Sequence, residues 1–153
     1  MYRCFDKSVF VNQSSLENTA MPELQITLNR KGTTASEAHI RDHQIIMDRP
    51  TEKGGENAGP MGGEALLAAL GGCFMSNLVA AAQARDVELG DIDVSITGTL
   101  AGTPPVYESI AMTVTGAASV ESLPKLVTMA ERGCIVANTL KAGLTLTVET
   151  HQS

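Results

Sequence analysis

The chain has no tryptophan, and aromatic residues make up only 3% of it. Its interior therefore has to be built from leucine, isoleucine, valine, methionine and alanine, and seven methionines make that interior adaptable. Clustered positive charge is missing too. The 11 lysines and arginines are scattered and the net charge is -6, which speaks against a nucleic acid partner. The first twenty residues lack the apolar run of a signal peptide, and no stretch approaches 18 apolar residues free of polar ones, so neither export nor a membrane is expected. Three widely spaced cysteines make neither a secreted disulfide framework nor a C-x-x-C pair, and the expected location is the reducing cytoplasm. The glycines at 54, 55 and 59 match no phosphate-binding pattern, which leaves nucleotide binding without support. His39 and His43, read on one strand, would lie about 13 Å apart at 3.3 Å per residue, too far to share a metal ion. No cofactor is expected.

What the chain does have is one long helical pattern, GPMGGEALLAALGGCFMSNLVAAAQARD, from Gly59 to Asp86. Leu66, Leu67, Leu70, Cys73, Phe74, Leu78 and Val79 recur at three-and-four spacing, which predicts a helix over Gly62 to Asp86 with a wide buried stripe. At 1.5 Å per residue it would be roughly 37 Å long and would serve as a central rod. Gly71 and Gly72 cost such a helix roughly 1 kcal/mol each relative to alanine. Two explanations stay open: close approach of a neighbouring element, or space kept beside the sulfur of Cys73.

Before the rod, residues 1 to 20 are polar and aperiodic and read as a loose arm, so that Cys4 is incidental. One domain is expected over residues 21 to 153, since 153 residues with 43% hydrophobic content suffice for a single core. Leu24, Ile26 and Leu28 alternate with Gln25, Thr27 and Asn29 on a first strand that turns at Arg30, Lys31 and Gly32. Strands at Ala35 to Arg41 and Gln44 to Asp48 complete a meander. After the rod come strands at Asp91 to Leu100 and Val106 to Thr115, a helix at Val120 to Arg132 capped by Ser119, and a break at Gly133 with a short helical turn. A last strand is expected at Leu144 to Thr150. Strands grouped in blocks predict an α+β fold with antiparallel sheets wrapped around the central helix. Six short strands hardly cover an apolar rod of this length, and a symmetric homodimer that shares the core is the natural remedy.

The residues Asn29 to Gly32, the block GPMGGEALLAALGGCF and the later block ERGCIVANTL together resemble the OsmC/Ohr family of thiol peroxidases, over nearly everything from Met21 onward. The resemblance implies an intertwined homodimer with two sites at the subunit interface. It further implies that Cys73 attacks an organic hydroperoxide, that Cys134 closes a disulfide with it, and that Arg30 and Glu64 assist. An external thiol or dithiol would restore the pair.

Elementary chemistry sets conditions on those roles. Thiolate, not thiol, is the nucleophile, and an unperturbed cysteine near pKa 8.5 is mostly protonated at neutral pH. Cys73 lies eleven residues into the predicted helix, beyond the reach of that helix's own N-terminal dipole. With no lysine or arginine within ten residues in sequence, Arg30 is the candidate cation, its fork shared between sulfur and carboxylate. Glu64 stands nine residues before Cys73, about 180° away on a continuous helix, so it joins the site only if the helix begins after it. Otherwise it is a first-turn residue favoured by the helix dipole. Leu66, Ala69, Leu70 and Ala80 share the face of Cys73 and would favour a hydrophobic peroxide. A second function, from another class, is a binding protein that holds a small apolar ligand without turnover.

Overall fold

A computed structural model of the chain describes residues 22–116 and 123–150. The predicted N-terminal arm, Cys4 and the predicted cap Ser119 lie outside the described residues. The elements run β1 (Thr27–Lys31), β2 (Ala35–Ile40), β3 (His43–Met47), α1 (Gly62–Gln83), β4 (Ile92–Ala101), β5 (Val106–Gly116), α2 (Leu123–Gly133) and α3 (Ile135–Ala142). The fold is α+β with antiparallel pairing and a long central helix, as the block pattern predicts.

Helix α1 starts where the sequence supplies a cap. The Met61 N–H, with no partner inside the helix, donates to the Glu64 carboxylate at 2.7 Å. An alanine-rich interior then carries the helix to Gln83, three residues short of the predicted end. Asp86 turns the chain away with φ +53°, a left-handed conformation that a short polar side chain tolerates. The helix is apolar and, at 22 residues, as long as a membrane span, but its Leu70, Phe74, Leu78 and Ala82 are buried within protein.

Strands β4 and β5 form a long hairpin whose register pairs Val94 with Val114, Ile96 with Met112 and Gly98 with Ile110. Alternation puts these residues, with Ile92, on the one face that packs on α1. Helix α2 covers the helix from another side with Leu126 and Ala130, both fully buried. A Cβ on Gly71 would come within 2.9 Å of Ile96 Cδ1, so the first glycine of the pair admits the sheet to the helix. Gly72 has nothing within 4 Å of such a Cβ and lies exposed. Close packing therefore accounts for one glycine of the pair.

The second sheet, in order β1-β2-β3, precedes α1 along the chain. Its link to the helix is fixed by the buried carboxylate of Asp48. That group accepts N–H bonds from Arg49 (2.7 Å), Glu56 (3.0 Å) and Ala58 (3.2 Å), while the Asp48 N–H donates to the Pro60 carbonyl at 3.1 Å. The glycine-rich loop is thus wound around one side chain.

The predicted last strand is not formed within the chain. Residues 144–150 continue from α3 outside any strand, and Leu144, Leu146 and Val148 are 69–85% exposed. Their alternation is that of a half-buried strand, but an isolated strand has no ladder to satisfy its backbone groups.

Candidate functional site

Two of the four predicted site residues are brought together by the fold. Cys73 sits midway along α1, half-buried, and Cys134 occupies the N-cap of α3, completely buried; both are free thiols. Local sequence explains the second position. Helix α2 ends at Gly133, and Cys134 adopts extended angles (φ -79°, ψ 107°) before α3 begins. Its Sγ accepts the Ala137 N–H at 3.4 Å, in the manner of a capping oxygen, and its carbonyl accepts the Asn138 N–H at 3.0 Å. The Asn138 side chain ties the junction back to α2 by donating to the Arg132 carbonyl at 3.0 Å.

The first turn of α3 is aimed at the other sulfur. The Cys73 thiol is held below its ordinary range, first by the Val136 N–H, with further help from the Cys134 thiol and the Ile135 N–H, against the opposing effect of burial. These amides are orphan donors at a helix N-terminus, where partial positive charge favours an anion. Cys134 moves the other way: burial pushes its thiol up, and the neighbouring Cys73 adds to that, more than the Ala137 and Val136 N–H groups take back. The pair is therefore polarised, with Cys73 the stronger acid and Cys134 the donor to it. Separated shifts on adjacent titratable groups are a recurrent property of reactive sites.

These donors are backbone amides, not the cation that the residue types lead one to expect. The signal was present in Gly133-Cys134, a helix break followed by residues able to restart one, but the amides of that restart are not visible as side chains. Arg30 lies exposed on β1 opposite Ser36, and Glu64 is exposed in the first turn of α1 with its carboxylate on the Met61 N–H. Within one chain neither is among the groups that shift Cys73. Because α1 starts before Glu64 rather than after it, this carboxylate is occupied as a cap.

His39 and His43 stand on β2 and β3 rather than on one strand. His39 pairs with Gln44 and His43 with Ile40, neighbouring positions that point to opposite faces of the sheet. Among the described residues no group of three His, Cys, Asp or Glu is placed to hold a metal ion.

The model of the OsmC-like protein family matches residues 54–149, more than half of the chain and both cysteine blocks. The chain belongs to the OsmC-like protein family. No curated protein matches it. Among solved structures, an OsmC like protein from Mycoplasma pneumoniae is 19% identical with a TM-score of 0.63, covering 78% of this chain and 88% of its own. An organic hydroperoxide resistance protein OsmC from Legionella pneumophila is 22% identical (TM-score 0.53; 80% and 91% covered). An organic hydroperoxide resistance protein from Elizabethkingia anophelis is 15% identical (TM-score 0.55; 80% and 91% covered). At these identities the likeness is one of fold.

Proposed function

We propose that this OsmC-family chain is a thiol-dependent reductase of organic hydroperoxides, with Cys73 as nucleophile and Cys134 as resolving thiol. The observation that carries the reading is the polarised pair, a lowered thiol facing the first turn of α3 and a raised one capping it. The Cys73 thiolate attacks the distal peroxide oxygen, the O–O bond breaks, and the alkoxide leaves as alcohol after taking a proton. Cys73 is then a sulfenic acid. Cys134 sulfur attacks it, water departs with the Cys134 proton, and a disulfide remains. An external dithiol reduces that bond by exchange, which closes the cycle without a cofactor. Such a cycle belongs in a reducing compartment such as the cytoplasm.

The active form in this reading is a homodimer. Three surfaces support it: the Leu24, Ile26 and Leu28 row on the β1 side, the uncharged face of α1 around Ala69, Gly72, Ser76 and Val79, and the alternating segment 144–150. Register places Arg30 on the same face as Leu28, Ala38 and Ile45. A second copy seated on that face would receive Arg30 near its own helix, the route by which this residue assists Cys73. Glu64 stays on the Met61 N–H as the cap of α1.

The test is dithiol-dependent consumption of cumene hydroperoxide. Cys73→Ser should abolish turnover, and Cys134→Ser should retain one rapid oxidation while losing multiple turnovers. Equal steady-state rates for wild type and Cys73→Ser would remove the cysteine from the chemistry. A second reading, binding of a small apolar ligand without turnover, is favoured by a cavity of about 580 Å³ lined by Leu66, Leu70, Phe74, Ile110 and Met112, which neither cysteine lines. Ligand found by native mass spectrometry, together with no peroxide loss, would select it.

A further inference from the structure

The α2–α3 junction that delivers amides to Cys73 is gripped by a side chain that no chemistry above has used. Asn77 stands one turn after Cys73 on α1, half-buried. Its Nδ2 donates to the Cys73 carbonyl at 2.8 Å and reaches the Cys73 Sγ at 3.8 Å. An asparagine bound to the carbonyl four residues back is turned along the helix, towards the residue it follows. The other end of the amide faces Gly133. A Cβ built on Gly133 would lie 2.6 Å from Asn77 Oδ1 and 3.3 Å from its Cγ, a distance no side chain can occupy without displacing the amide. Gly133 is not in a left-handed conformation, so space rather than backbone angle requires glycine there.

We propose that Asn77 is a positioning residue for the reactive thiol: wedged between Cys73 and Gly133, it fixes the start of α3 at the distance from which the Ile135 and Val136 N–H groups reach the Cys73 sulfur. The proposal rests on the reading of Cys73 as a thiolate nucleophile, but its readout does not need peroxide. Among the described residues few other groups compete for control of this thiol. Cys134 faces it from the junction, α1 carries no charged side chain between Glu64 and Arg85, and β4 and β5 approach the core with Ile92, Val94, Ile96, Ile110, Met112 and Val114. Glu131 and Arg132, next to the junction, are exposed, and Glu131 is paired with Lys141. Arg30 of a second copy would add a cation to every variant equally.

The experiment is the pH profile of Cys73 alkylation by iodoacetamide, followed by mass spectrometry of the full-length protein. Asn77→Leu keeps volume but removes both polar ends, and should slow alkylation at pH 7 about five- to tenfold while moving the profile to higher pH, since about one pKa unit is a tenfold change in thiolate. Asn77→Asp should move it at least as far, because an acceptor-only carboxylate repels both carbonyl and thiolate. Gly133→Ala attacks the same wedge from the other side with Asn77 and Cys73 intact, and it carries the test alone if the Asn77 variants fail to fold. It should shift the profile in the same direction, and Gly133→Ala combined with Asn77→Ala should be no worse than Asn77→Ala alone. Profiles superimposable on wild type in folded variants, or additive effects in the double variant, would overturn the proposal. Disulfide formation on adding cumene hydroperoxide to the wild type reports separately on the redox reading: its absence would sink that reading and leave the alkylation result standing.

Discussion

The two sheets of this protein are made of similar alternating strands and meet different fates. The β4–β5 hairpin turns Val94, Ile96, Met112 and Val114 onto α1, and the helix answers with Leu70, Phe74 and Leu78. The β1–β3 sheet turns Leu28 and Ile45 onto no cover among the described residues, leaving them 52% and 43% exposed, with Ile26 at 51% and Leu24 at 95% beyond them. Both patterns encode a half-buried surface. In one case the chain supplies the cover; in the other none is found among the described residues. The covered half holds Cys73 and Cys134, while Arg30 belongs to the uncovered half. Acid–thiol polarisation is thus built within one chain, and the Arg30 guanidinium takes no part in it there.

The largest effect that would sharpen this contrast is core truncation. Leu78 is fully buried between α1 and its cover, so Leu78→Ala should destabilise the fold by about 2–5 kcal/mol in urea unfolding. Leu126→Ala on α2 should behave alike. A cost below about 1 kcal/mol at both would show that the helix and hairpin half is not the stable unit.

Next in size is the exposed sheet face. Leu28→Glu puts a charge in the row that a second copy would cover, and should raise the dimer dissociation constant at least about tenfold, as read by light scattering over a dilution series. The variant should keep its far-UV spectrum, because Leu28 packs on little within the chain. A wild type that is monomeric across that series would break the comparison outright and leave the sheet face unexplained.

Much of this contrast was legible before any coordinates. The spacing of Leu70, Phe74 and Leu78 marks the buried stripe, and the alternation at Ile92–Ile96 and Ile110–Val114 marks the hairpin, because periodicity is local and packing obeys it. Leu144, Leu146 and Val148 alternate as well, yet form no strand here. A strand needs a partner edge, and sequence pattern is silent on whether that edge belongs to the same chain. The site divided in the same manner. Two cysteines in defined blocks are visible as residue types, whereas the amides of Ile135 and Val136 belong to no residue type in particular. Asn77 and Gly133, 56 positions apart, take meaning only once α1 and α2 cross.

A smaller effect concerns the joint between the two halves. Burial opposes ionisation of Asp48, but the Ala58 N–H, the Thr34 side chain and the Arg49 and Glu56 N–H groups together outweigh it and hold its carboxyl below the ordinary 3.8. A carboxylate depressed in the folded state stabilises above its unfolded pKa and loses that contribution as pH falls through the folded value. Asp48→Asn should therefore lower the Tm by several degrees at pH 7, and the gap from wild type should close in the acid range below about pH 4. A gap that persisted unchanged at pH 2 would mean that packing of the loop, not ionisation, is what the side chain provides.

Glu131 tests whether a lowered carboxyl always marks such a joint. Its pKa is also depressed, first through the hydrogen bond from Lys141 and then through that lysine's charge. The partners are 62% and 51% exposed, however, and water competes for both. An exposed pair of this kind contributes little, because two long side chains lose freedom to hold one contact in a high dielectric. Glu131→Gln should leave unfolding within about 0.5 kcal/mol of wild type at pH 7, with the difference vanishing in about 0.5 M salt. The ion pair joins the end of α2 to the end of α3 and so spans the junction that carries Cys134. If Glu131→Gln nevertheless moved the alkylation profile of Cys73 as far as Gly133→Ala does, the α2–α3 angle would be held from its rim as well as by the Asn77 wedge, and the thiol's acidity would depend on salt.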